Sequence, residues 1–193
     1  MAENKVKFGI KNVHAALLTE AVDEQTGTTT YTYGTPHPWP GAVSLSLAAQ
    51  GGSNPFYADD RKYYVTYSNT GYEGDLETAL VPEWVLLNIF GDQKDAKGAI
   101  IENANATPAR FALLFEIDGD VMARRVVLYD CTITRPAVGS TTKTDTTEVQ
   151  TETCTITAVP RADGSLRAST TPDGDDATYN GWFSAVYEET PIT

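Results

Sequence analysis

Arg110-Phe111-Ala112-Leu113-Leu114-Phe115-Glu116-Ile117, then Asp118-Gly119-Asp120, then Met122 to Arg135, is the stretch that decides the fold. Side chains alternate sides along a strand, so Phe111, Leu113, Phe115 and Ile117 share one face. Asp-Gly supplies a tight reversal. On the return strand Val127, Tyr129, Cys131 and Ile133 are expected on one face. The pattern predicts a long antiparallel hairpin.

Strand signals continue on both sides of it. Ala42-Val43-Ser44-Leu45-Ser46-Leu47 alternates, placing Val43, Leu45 and Leu47 together. Glu148 to Val159 is rich in β-branched threonine and places Cys154, Ile156 and Ala158 on its apolar face. Ala162-Asp163-Gly164-Ser165 turns that strand into a short one from Leu166 to Thr170. Lys5–Ile10, Val13–Leu18, Thr28–Tyr33, Tyr63–Tyr67 and Tyr72–Leu80 are weaker strand candidates. Cys-Thr-Ile-Thr occurs at 131–134 and 154–157, which indicates two similar core strands and no repeat architecture.

Two segments read as helices. Pro82 suits a first helical position and Gly91 a C-terminal cap, with Val85, Leu86, Ile89 and Phe90 on one face. The second runs from about Ala177 to Glu188, capped by Asp175 or Asp176. Its Tyr179, Trp182, Phe183, Val186 and Tyr187 follow helical spacing and form a structural face that should dock on a sheet. Residues 50–69 and 136–147 read as long polar loops, the first carrying Phe56, Tyr57, Asp59 and Asp60. The expected fold is mainly β. It is a sandwich or barrel of mostly antiparallel strands in one domain spanning 1–193, with one or two flanking helices.

Composition narrows function mostly by exclusion. The formal net charge of -12 argues against binding the outside of nucleic acid. The amino-terminal run has no apolar segment followed by a small-residue cleavage site, which predicts synthesis in a cytoplasm. No run approaches the ~18 apolar residues of a membrane helix. Cys131 and Cys154 lie on apolar strand faces and are expected to be buried thiols. His14 and His37 have no ligand partners at metal spacing, and Asp173-Gly174-Asp175-Asp176 reads as a helix cap, not a calcium loop. Nucleophile elbows, phosphate loops and dinucleotide fingerprints are missing, so no catalytic residue, metal or cofactor is expected.

Between Tyr72 and Leu80, Glu73, Asp75 and Glu77 point one way and Tyr72, Leu76 and Leu80 the other. An ordinary solvated strand face accounts for this pattern. So does an acidic stripe turned toward a channel.

Several segments, in order, resemble the major tail protein family of long-tailed phages of Gram-positive bacteria. They are Asn4-Lys5-Val6-Lys7-Phe8-Gly9-Ile10-Lys11-Asn12-Val13-His14, Pro40 to Leu47, Phe56-Tyr57-Ala58-Asp59-Asp60 and Asn69-Thr70-Gly71-Tyr72-Glu73-Gly74-Asp75-Leu76-Glu77. Phe111 to Glu116, Asp118-Gly119-Asp120, Thr134-Arg135-Pro136 and Gln150-Thr151-Glu152-Thr153 complete the series.

The resemblance implies a tail-tube sandwich of two packed sheets with a flanking helix. It implies a non-enzymatic subunit of hexameric rings that stack into a tube in the virion, made in the host cytoplasm. Its partners would be further copies of itself, a tape-measure protein, and tail terminator and baseplate proteins. DNA would pass through the lumen without specific binding, and no membrane would be involved. Glu73, Asp75 and Glu77 become candidate channel-lining residues, and Phe56, Tyr57, Asp59 and Asp60 a candidate inter-ring loop. The alternatives are another ring-forming virion component, such as a terminator or baseplate protein, or a carbohydrate-binding sandwich with Trp39 as its aromatic platform.

Overall fold

The computed structural model describes residues 3–189 apart from 144, 146 and 147. In chain order the elements are β1 (Lys7–Val22), β2 (Thr29–Tyr33), β3 (His37–Pro38), β4 (Ala42–Gln50), β5 (Ser53–Ala58), β6 (Arg61–Tyr67) and β7 (Gly71–Thr78). Then come α1 (Glu83–Asn88), β8 (Gln93–Lys94), β9 (Ile100–Ile101), β10 (Phe111–Gly119), β11 (Arg124–Ile133), β12 (Glu152–Ala158), β13 (Arg167–Ser169) and α2 (Asp176–Gly181). The fold is mainly β.

A single antiparallel sheet runs in the order β2-β1-β10-β11-β12-β7-β4, with β3 beside β1 and β13 beside β11. It curls until its halves face each other, so both layers of the sandwich belong to one hydrogen-bonded sheet. The main core lies between them. Ala15, Leu113, Phe115 and Leu128 from one half meet Leu76, Cys154 and Ile156 from the other. Val85, Ile89 and Phe90 from α1 and the residues after it pack into the same core.

The central hairpin forms where its alternation predicts, with Phe115 opposite Val126 and Leu114 opposite Val127. Its return strand differs in phase. Between the pairs Phe111–Cys131 and Leu113–Leu128 the register slips by one residue. Such a bulge reverses the side-chain alternation. Val126, Leu128, Cys131 and Ile133 therefore share the main core, while Val127 and Tyr129 face the other way. This corrects the expectation that Val127 and Tyr129 lie with Cys131 and Ile133. Asp130 sits at the bulge, fully buried, and is paired to Arg110, which also reaches Glu20. Hydrogen bonding to Asp130 raises the Arg110 guanidinium above its ordinary value. A similar slip at the start of β4 leaves Val43 exposed while Leu45 and Leu47 pack against the core.

On the outer side of β1, β10 and β11 a second cluster forms. Ala16, Ala112, Leu114, Val127 and Tyr129 are covered there by Trp182 and Val186. Asp175 caps α2 by accepting from the Thr178 N–H at 2.8 Å. The helix is shorter than its aromatic spacing predicts. It ends at Gly181 and continues as turns through Ser184, because Asn180-Gly181 are poor helix formers. The aromatic face docks all the same: Trp182 stacks on Tyr187 at 5.2 Å. Arg125 places its guanidinium 3.8 Å from the centre of the Tyr179 ring while donating to the buried Glu116 at 2.8 Å.

The two predicted loops part company. Of 136–147, residues 144, 146 and 147 lie outside the described residues, and the others have no regular structure. The segment 50–69 is not a loop. It is a β-hairpin, β5 paired with β6, turning at Asp59-Asp60. Both aspartates take left-handed backbone, φ 50° and 59°. Two consecutive left-handed residues are what a tight two-residue hairpin turn requires.

Candidate functional site

The structure sets Glu73, Asp75 and Glu77 on the central strand of a three-strand wall, β4-β7-β12. Each acid has a small neighbour on either side. Glu73 lies between Ala48 and Thr157, Asp75 between Ser46 and Thr155, and Glu77 between Ser44 and Thr153. Hydroxyls serve the carboxylates. Thr155 donates to Asp75 at 2.8 Å, Ser44 to Glu77 at 3.0 Å and Thr151 to Glu77 at 2.7 Å. Glu73 and Asp75 are exposed and Glu77 half-buried.

These donors hold the side chains without neutralising them. β4, β7 and β12 contain no lysine or arginine, so the wall keeps its negative charge. The opposite face of the same strands is apolar. Leu76, Cys154 and Ile156 point into the core, backed by Leu45 and Leu47. Gly74 lets β7 lie close to β4, since an added Cβ would stand 1.9 Å from the Ser46 carbonyl oxygen.

The same two strands lead into the arm. Gln50 on β4 is paired with Gly71 on β7, and Ser53 on β5 with Tyr67 on β6. Between them Thr70 donates to Gln50 and Ser68 to Gly52 through the backbone. The ladder thus passes from the wall into the β5–β6 hairpin. The hairpin carries Phe56, Tyr57, Tyr63, Tyr64 and Tyr67, all between 59% and 82% exposed. Exposed apolar groups this concentrated make the hairpin a candidate interaction surface. Phe56 and Tyr64 are direct cross-strand partners. Of these aromatics only Phe56 and Tyr57 were singled out in sequence. Tyr63, Tyr64 and Tyr67 read there merely as strand formers, and no sequence signal showed that they stay uncovered.

The remaining polar groups lend themselves to structure more readily than to chemistry. His14 stacks on Phe183 at 4.7 Å and His37 on Trp84 at 4.2 Å. Burial pushes the Cys154 thiol up to about 11 and raises that of Cys131 as well, so neither is a thiolate near neutral pH. Trp39 is only 1% exposed. A glycan platform needs an exposed ring, so the carbohydrate reading loses the residue it rested on. Arg161 ties the far end of the sheet together. It binds Asp163 at 2.6 Å and Glu188 at 3.0 Å, under the rings of Tyr31 and Tyr129. No described helix is long and apolar enough to cross a membrane.

No protein-family model matches this chain, and a search of curated proteins returned no match.

Proposed function

We propose that this chain is the major tail protein of a long-tailed phage or prophage, a structural subunit whose hexameric rings stack into a tube for DNA. The observation that supports this best is the three-strand wall. One face builds the core, and the other is a cation-free surface of hydroxyls and carboxylates. A conduit for DNA should present like charge to the phosphates, because opposite charge would bind them and slow passage. In this reading Glu73, Asp75 and Glu77 line the lumen, repeated by every subunit, and the aromatic arm makes the subunit contacts. A tape-measure protein, a terminator and a baseplate are the expected partners, and no catalysis is required.

Negative-stain microscopy of the concentrated protein, alone and co-expressed with its tape-measure partner, tests the proposal. Rings and stacked tubes are expected. A species that stays monomeric under every one of these conditions overturns it.

A further inference from the structure

The sheet curls but does not close. β1 and β4 come within 8 Å of each other, yet no backbone hydrogen bond joins them. The seam opens into a groove of about 480 Å³ whose floor is the main core: Ile10, Leu45, Leu47, Phe115, Ile117 and Leu128. Phe8 and Val43 stand exposed at its edges, with Lys7 and Arg167 at the rim. Where the strands are this near, a further strand has no room, since one inserted between two others holds them about 9.6 Å apart. Along that part of the seam only side chains fit.

We infer that this groove is the receptor for the β5–β6 arm of a second copy of the chain, with the arm's aromatics filling the seam. The inference rests on the self-assembly proposed above and names the surface that would receive the arm. The arm and the groove are matched in character, one a set of uncovered rings and the other an uncovered apolar floor. Charge agrees as well. Asp59 and Asp60 at the turn are opposite in charge to Lys7 and Arg167 at the rim. Arg61 and Lys62 beside them have a counterpart in Asp120, next to Gly119, the partner of Lys7.

A chain cannot fill its own groove. β4 lines the groove at Val43 to Leu47, and the arm continues the β4–β7 ladder away from it. Ala58 lies eleven residues beyond Leu47, roughly 36 Å of extended chain at about 3.3 Å per residue. The contact is therefore between copies, and where it is not reciprocated within one pair it is head-to-tail, arm of one copy into groove of the next. That is the interface class that generates rings or filaments in place of simple dimers.

Two variants test this, each altered only at exposed positions. Val43→Glu blocks the groove, and Phe56→Asp/Tyr64→Asp disables the arm. Circular dichroism first checks that each folds, with Phe8→Asp as a second groove variant should Val43→Glu not fold. Sedimentation is then measured for each alone and for an equimolar mixture. Each variant alone should associate at least tenfold more weakly than the wild type. The mixture should recover 1:1 heterodimers, because it restores one intact arm and one intact groove. A groove variant that associates like the wild type, or a mixture that stays monomeric, overturns the inference and leaves the self-assembly proposal standing. A wild-type chain that stays monomeric even with its tape-measure partner overturns both.

Discussion

Replacing Trp182 by alanine removes the largest side chain that pins the C-terminal segment to the sheet. The indole is 3% exposed. It packs with Ala112, Leu114, Val127 and Tyr129 and stacks on Tyr187. Truncating a buried aromatic ring typically costs about 3–5 kcal/mol, from lost transfer energy and the cavity left behind. One feature offsets this. The indole Nε1 meets no acceptor among the described residues, and an unpaired buried donor costs roughly 1–3 kcal/mol. The alanine variant also relieves that penalty, so about 3 kcal/mol is the expected net loss. In a chain of this size that lowers Tm by roughly 6–12 °C, at about 2–4 °C per kcal/mol. Trp182→Phe separates the two effects: it keeps most of the packing and drops the unpaired N–H, so it should lie within about 1 kcal/mol of the wild type. Urea unfolding followed by far-UV circular dichroism, with melts of both variants, reads the difference. If Trp182→Ala melts with the wild type while assembly fails, the aromatic face belongs to a subunit contact and the packing account is wrong.

Two further predictions concern charge. Replacing Glu73, Asp75 and Glu77 by lysine should leave the chain folded, since their strand face turns away from the core, and should make assembled tubes retain DNA in a salt-dependent way. DNA release from tails carrying the triple variant checks this, and unchanged release at low salt would place the stripe away from the lumen. The second concerns alkaline stability. Burial pushes the Cys154 thiol from its ordinary 9.0 to about 11 and the Tyr33 phenol from 10.0 to about 12. In both, folding favours the neutral form, so the stabilisation is complete below about pH 9 and is lost as the pH climbs through the raised values. Denaturant midpoints should fall steadily between pH 9 and 12, and a flat profile there would refute the burial of these groups.

The parts of the fold that could be read from sequence are those where local pattern and tertiary burial agree. The hairpin of β10 and β11 announces itself through apolar runs around Asp118-Gly119, and Cys154, Ile156 and Ala158 through strict alternation. The bulge at Asp130 could not be read that way. It carries a buried ion pair with Arg110, twenty residues earlier in sequence, and it reverses the faces of Tyr129 and Cys131. The arm was missed for a different reason. Its strands expose aromatics on both sides, so they lack the two-faced alternation of a half-buried strand, and Gly51-Gly52 with Asn54-Pro55 looked like the start of a loop. The glycines instead lie within a continuous ladder. Of the candidate site, the acidic stripe was legible because alternation alone places three acids on one face. Its hydroxyl surroundings were not, because they come from strands β4 and β12, distant in sequence.

The pairing of β1 also has a consequence in time. Its residue Lys7 is matched with Gly119 and Leu17 with Phe111. On a ribosome adding about 5–20 residues per second, β1 waits roughly 5–20 s before its main partner has even been made. During that interval Val13, Ala15, Ala16 and Leu18, all buried in the finished sheet, stand open on the β10 side, with only the short strands β2 and β3 available on the other. β10 and β11, by contrast, meet across a short turn as soon as both emerge, and such local contacts form fastest. The hairpin should therefore be the template, and the N-terminal strand a late arrival. Until then the nascent chain is a client for holding factors, and its early apolar segment, not its arm, is the region most exposed to aggregation during synthesis.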